Sequence, residues 1–260
     1  MNIRHYYQIS AAMALNASLV SLIPIIIFLL MSPIFSTKIL LVVATTPFFI
    51  YSFISYQYYL LQKRRYGEIE EIEDEETSTD FIGHSEVLLE FLPAPSLRMV
   101  LFDSEGRMVG EIKDLHFKTF RWLIPYWLDR FFSKSYGVYD QHVGLIGMFN
   151  VKNKEIQFLS TDGQVLNSIE LEQKTGNVEK WSGRQKVLTI RKESLYTDIK
   201  FIDENEKEVA RLKKGWMPVE WEKYYKNANT PVFFMDQGLQ IEDKMMLMGY
   251  LAKYYCYREH

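Results

Sequence analysis

Two stretches of 23 residues, 9–31 and 39–61, contain no charged side chain. As helices rising about 1.5 Å per residue, each reaches about 34 Å, enough to cross a hydrocarbon core of about 30 Å. Pro24 and Pro47 fall inside these runs; membrane helices tolerate proline where neighbouring groups satisfy the freed carbonyls. Tyr51, Tyr56, Tyr58 and Tyr59 crowd the end of the second run, as an interfacial aromatic belt would. A cleaved signal peptide leaves the second run unexplained, and two uncharged core helices of this length exceed what so small a chain buries. The runs therefore predict a two-span transmembrane hairpin over residues 1–62.

Charge sets the orientation. Residues 1–65 hold five bases (Arg4, Lys38, Lys63, Arg64, Arg65) and no acid, whereas residues 66–80 hold eight acids and no base. Arg4 precedes the first span, Lys63-Arg64-Arg65 closes the second, and the connection between them carries only Lys38. Positive-inside bias predicts a two-pass protein of the cell membrane with both termini in the cytoplasm. Cys256, the one cysteine, excludes an intramolecular disulfide framework and any multi-cysteine metal site. Residues 63–80, basic and then acidic, read as a solvated linker.

The texture changes over residues 81–260, where the two signs balance at 25 each; a nucleic-acid partner, which needs a large basic surface, is not expected. Short alternating runs punctuated by Gly, Asn and Asp occupy 85–92, 97–103, 107–115, 143–151, 155–160, 164–172, 186–191, 196–203 and 208–213, a spacing that predicts an antiparallel barrel or sandwich. Three hairpins share one pattern: LFDSEGRMVGEIK (101–113), FLSTDGQVLNSIE (158–170) and FIDENEKEVARLK (201–213). Phe102, Leu159 and Ile202 correspond, as do Val109, Leu166 and Val209, and Ile112, Ile169 and Leu212. Gly106 and Gly163 stand where the turn needs a positive φ, and Glu206 takes that place in the third copy. The unequal spacing of the copies describes hairpins of one closed sheet, not stacked repeats.

After the apolar run at 230–236, residues 241–257 have helix length, and 245–251 are apolar on every side. A helix hydrophobic all round belongs inside something. Interrupted by Glu242, Asp243, Lys244 and Lys253, it is too short to be a third span. The fold class is therefore mainly β, with a closed antiparallel barrel around a C-terminal hydrophobic helix, preceded by two transmembrane helices.

The D-x-x-G-type hairpins, the stretch KVLTIRKESLYTDIKFIDENEKEVARL and the final strand with its apolar helix resemble the tubby C-terminal-like superfamily. That group includes tubby proteins, phospholipid scramblases and LURP-one-related proteins. The resemblance covers roughly residues 85–257 and implies a twelve-stranded tubby-like barrel around a central hydrophobic helix. Scramblases carry their hydrophobic segment at the C-terminus, whereas this chain has a separate hairpin at its N-terminus. The phosphoinositide-binding bases of tubby proteins find no counterpart here, so no binding residue carries over.

The five histidines (His5, His84, His116, His142, His260) are scattered, and no nucleophile elbow, phosphate loop or dinucleotide fingerprint is present. Gly144-Leu145-Ile146-Gly147 suggests a bulge or close backbone approach, and Cys256 a packed small apolar residue. The expectation is a non-catalytic module without cofactor or metal. The stretch 116–134, HFKTFRWLIPYWLDRFFSK, mixes seven aromatics with four bases and one acid. It suits either membrane-surface contact or a cap on the barrel. The candidate lipid contacts are Lys63, Arg64, Arg65, Lys118, Arg121, Trp122, Trp127, Arg130 and Lys134. The expected role is binding lipid headgroups, or a protein partner, at the membrane surface. Two other readings are a scramblase-like lipid-translocating protein and a structural subunit of a membrane complex, with Ala11, Ala12, Ala14, Ala17, Ser18 and Ser21 available for close helix contact.

Overall fold

The computed structural model describes residues 1–34, 38–70, 83–94, 96–115, 134–142, 144–152, 154–183, 186–193, 198–215 and 217–256. The chain divides into two compact units, Ile3–Ile72 and Glu73–His260, the second also taking Met1–Asn2.

The first unit is a helical hairpin. Helix α1 (Ile3–Val20) is followed by α2 (Leu22–Leu30), and α3 (Lys38–Glu68) runs back antiparallel to them. The break between α1 and α2 lies at Ser21, three residues before Pro24, whose ring and missing N–H disturb the preceding turn; there the Ser21 hydroxyl donates to the Ser18 carbonyl at 2.7 Å. Helix α3 instead carries Pro47 without interruption. Next to it, Thr45 and Thr46 turn their hydroxyls back onto the Leu41 and Val42 carbonyls, as helix hydroxyls do where the ladder is weakened. Helix α3 extends through Glu68, so the first residues of the sequence-defined linker are helical; residues 71–82 lie outside the described residues.

This hairpin is packed inside out. Along α1 and α2 the buried residues include Ser10, Ala11, Ala14, Ser18, Ser21 and Ile25, and along α3 they include Thr45, Ser52 and Gln62. The Ser18 and Ser52 hydroxyls meet at 3.1 Å, and Ser52 also donates to the Ser18 carbonyl. Large apolar residues point away: Leu19, Ile23, Ile26, Leu40, Phe49 and Phe53 are each more than half exposed. Over their most apolar windows the two long helices are 22% and 17% buried, and both are long and apolar enough, by length and composition, to cross a membrane.

The second unit is a closed barrel of twelve antiparallel strands: β1 (Glu86–Phe91), β2 (Arg98–Phe102), β3 (Met108–Asp114), β4 (Lys134–Asp140), β5 (Leu145–Val151), β6 (Glu155–Leu159), β7 (Val165–Thr175), β8 (Val178–Gly183), β9 (Val187–Glu193), β10 (Asp198–Ile202), β11 (Glu208–Lys213) and β12 (Val232–Met235). Each strand pairs with the next in sequence, and β1 pairs with β12 to close the ring, which leaves no open sheet edge. The nine alternating runs and the final apolar run correspond to ten of these strands; β4 and β8 are the two that the sequence pattern left unassigned.

The three related hairpins are β2–β3, β6–β7 and β10–β11, and their turns are built alike. Gly106, Gly163 and Glu206 have φ of 79°, 82° and 61°. Their amides donate to the Asp103, Ser160 and Asp203 carbonyls, and each hairpin has its register shift beside the turn, at 101/102, 158/159 and 201/202. Asp103 and Asp203 also accept two further backbone N–H groups through Oδ1. These side chains hold the turn while Glu206 occupies a conformation disfavoured for L residues. Another irregularity falls at Gly144–Gly147, where Val138 pairs with Gly147 and Tyr139 with Leu145; a Cβ on Gly147 would lie 2.6 Å from Met245 Cε.

Helix α4 (Ile241–Tyr255) belongs to the barrel core. Leu247, Met248, Tyr250, Leu251, Ala252, Tyr255 and Cys256 are buried in one cluster with the alternate residues of the strands, from Val87 and Leu89 to Phe233 and Met235. Ring contacts reach several sides: Tyr250 meets Trp181 of β8 and Phe201 of β10 edge-on, and Tyr255 packs on Phe91 of β1. Filling a closed barrel with its own C-terminal helix hides an apolar stretch that no water-exposed position could hold.

Candidate functional site

One end of the hairpin gathers the bases expected at a cytoplasmic interface. Antiparallel packing brings the start of α1 beside the end of α3, so Arg4 lies over the Tyr66 ring at 4.7 Å and Arg65 over the Tyr7 ring at 5.9 Å. Lys63 stands 5.6 Å from the Tyr59 ring, and Arg64 pairs with Glu68 at 2.7 Å. Such cation–π contacts suit a boundary between apolar and aqueous phases, where the ring needs a dry side and the cation a wet one.

The other candidate contacts are distributed differently. Lys118, Arg121, Trp122, Trp127 and Arg130 lie outside the described residues. Lys134 is the first residue of β4 and only 2% exposed. Its place in the strand ladder, not a surface helix, fixes its environment, and it does not join the basic cluster of the hairpin.

A group that the sequence reading passed over sits where α4 meets β8. Glu179 is buried, two residues from Trp181 and on the same inward parity. Its Oε1 accepts from Lys192 at 2.6 Å and Lys174 at 3.1 Å, and its Oε2 accepts from Tyr250 Oη at 3.1 Å and Trp181 Nε1 at 3.4 Å. Burial pushes the carboxyl up, but the hydrogen bonds and charges of Lys192 and Lys174 win and hold it at about 2. Lys253 stands over the Trp181 ring at 4.1 Å. Burial pulls its ammonium down to about 8, against the opposing attraction of Glu179.

This group is an ion-pair network that ties helix to barrel, since these bonds of Glu179 join α4, β7, β8 and β9. Among the described residues no set of three or more His, Cys, Asp or Glu side chains is placed to hold a metal ion. Cys256 is in no disulfide and is fully buried, its thiol donating to the Lys253 carbonyl at 3.2 Å.

No family model, curated protein or solved structure matches the chain. The fold and the two groups of side chains are thus the basis for a functional reading.

Proposed function

We propose that this chain is a two-pass membrane protein whose hairpin anchors a tubby-like barrel at the cytoplasmic face, where the barrel binds lipid headgroups without catalysis. The observation that carries the anchoring is the inverted hairpin. Small and hydroxyl-bearing residues such as Ala14, Ser18 and Ser52 are buried between helices, while Leu, Ile and Phe face outward. In water this arrangement loses the hydrophobic term; in lipid, outward apolar residues are solvated and helices join through close packing and hydroxyl bonds. Arg4, Lys63, Arg64 and Arg65 at one hairpin end support the inward placement of both termini. Strand number, closure and the buried C-terminal helix support the tubby-like reading.

Alkaline extraction of membranes containing the full chain tests the anchor: the protein is expected to remain in the pellet, and its release would reject the spans. For the headgroup reading, the full chain reconstituted in vesicles is compared by hydrogen exchange with and without anionic lipid. Added protection over residues 116–134 is expected with anionic lipid. Identical exchange in both vesicles would reject headgroup binding.

A further inference from the structure

The barrel has an open cavity of about 500 Å³ beside the first turns of α4, walled by strands β5, β6 and β7. Ile146, Met148, Phe158 and Ile169 line it from the sheet, and Met245 and Met246 from the helix. At its mouth Leu166 and Ile241 are 65% and 50% exposed. The size falls within the range that accepts small apolar ligands, about 300–1,000 Å³. The two methionines supply unbranched, adaptable walls that conform to a flexible guest.

The rim decides what the guest's head can be. Lys186 pairs with Asp243, and Glu242 adds a second carboxylate. The rim thus carries one base against two acids and repels a carboxylate or phosphate. A smaller cavity of about 240 Å³ shares Lys186, Asp243 and Met246 and is lined further by Asp203 and Glu204, so the neighbouring surface is acidic too.

We infer that this cavity takes a single unbranched aliphatic chain of an uncharged amphiphile, with its head at the Lys186–Asp243 rim. The inference rests on the membrane reading for the source of such a ligand; the cavity itself lies wholly within the barrel unit.

Photolabelling of the full chain in phosphatidylcholine vesicles tests it, with a diazirine-bearing hexadecanol as probe and the matching palmitate as the anionic comparison. Hexadecanol is expected to mark peptides spanning 146–148 and 241–246 as well as the hairpin. Leu166→Trp and Ile241→Trp substitute exposed rim residues and fill the entrance. Each is expected to cut barrel labelling about tenfold, the loss of about two buried methylenes, with hairpin labelling unchanged. Val219→Trp, at a 74% exposed position elsewhere on the barrel, is expected to change nothing. Absent barrel labelling, or labelling in both rim variants equal to that of the unsubstituted chain, would overturn the site. Palmitate marking the barrel as strongly as hexadecanol would overturn the uncharged head. Loss of hairpin labelling alone would reject the membrane reading and leave the cavity assignment standing.

Discussion

Tyr250, on the helix within the barrel, donates its hydroxyl to Glu179 of β8 across 3.1 Å, joining residues 71 apart in sequence. The bond fixes the rotation of α4 against the sheet, because the same Tyr250 ring also meets Trp181 and Phe201 edge-on. Replacing Tyr250 by Phe keeps the ring and removes the donor. We expect a loss of about 1–2 kcal/mol, measured by denaturant unfolding. Glu179→Gln should cost more, about 2–3 kcal/mol, since it leaves the part-buried Lys192 ammonium and the buried Trp181 N–H facing a neutral amide.

The same carboxylate gives the barrel an acid limit. Its folded pKa of about 2 lies below the ordinary value of 4.5, so its stabilisation is complete above about pH 4.5 and disappears as pH falls toward 2. Thermal midpoints of the wild type should drop across that window. Those of Glu179→Gln should change less there.

Lys253 titrates at the other extreme. With its folded pKa near 8 instead of 10.5, the cost of burying the ammonium is present below about pH 8 and relieved between 8 and 10.5. After reductive ¹³C-methylation, its NMR resonance should titrate with a midpoint near 8. A midpoint above 10 would contradict the burial drawn for this side chain.

Glu206 holds a φ of 61° that glycine holds in the two sister turns. Relief of left-handed strain exceeds the entropy cost of glycine in the unfolded chain, so Glu206→Gly should stabilise by about 0.5 kcal/mol. Gly163→Ala at the equivalent position should destabilise by about 1 kcal/mol; open space surrounds it, leaving backbone strain as the cause. Chemical denaturation of both variants reads the two signs together.

Gly249 is the close-approach residue of α4: an added Cβ would lie 3.1 Å from Ile156 Cγ2 and 3.2 Å from Phe158 Cε1. Gly249→Leu must push the helix off β6 and should destabilise by about 2–3 kcal/mol, again measured by unfolding. A mild effect would mean the helix is free to shift within the barrel.

Much of this architecture was legible from residue order. The turn positions followed from D-x-x-G spacing, even where Glu206 stands in for glycine, and the all-round apolar face of 245–251 pointed to an enclosed helix. Strand β8 was not legible because its inward positions are Glu179 and Trp181, so Val-Glu-Lys-Trp-Ser-Gly shows no apolar alternation. The ion-pair network went unseen with it, its members being drawn from β7, β8, β9 and α4. Strand β4 follows directly on the aromatic and basic stretch, and Lys134, read as part of that stretch, instead opens the strand. The long apolar helices of the hairpin followed from charge exclusion, but the burial of its serines depends on which faces meet, which needs the pairing of Ser18 with Ser52.

The most direct test starts from the burial of the one cysteine, Cys256, which is expected to keep the unsubstituted chain slow to react with thiol reagents. Cysteines are placed singly at exposed Ser32, between the spans, and at exposed Glu204, on the barrel, and intact cells are treated with a membrane-impermeant maleimide. The account predicts labelling at position 32 from outside and at position 204 only after permeabilisation. Labelling of position 204 in intact cells, or equal labelling of both, would contradict it.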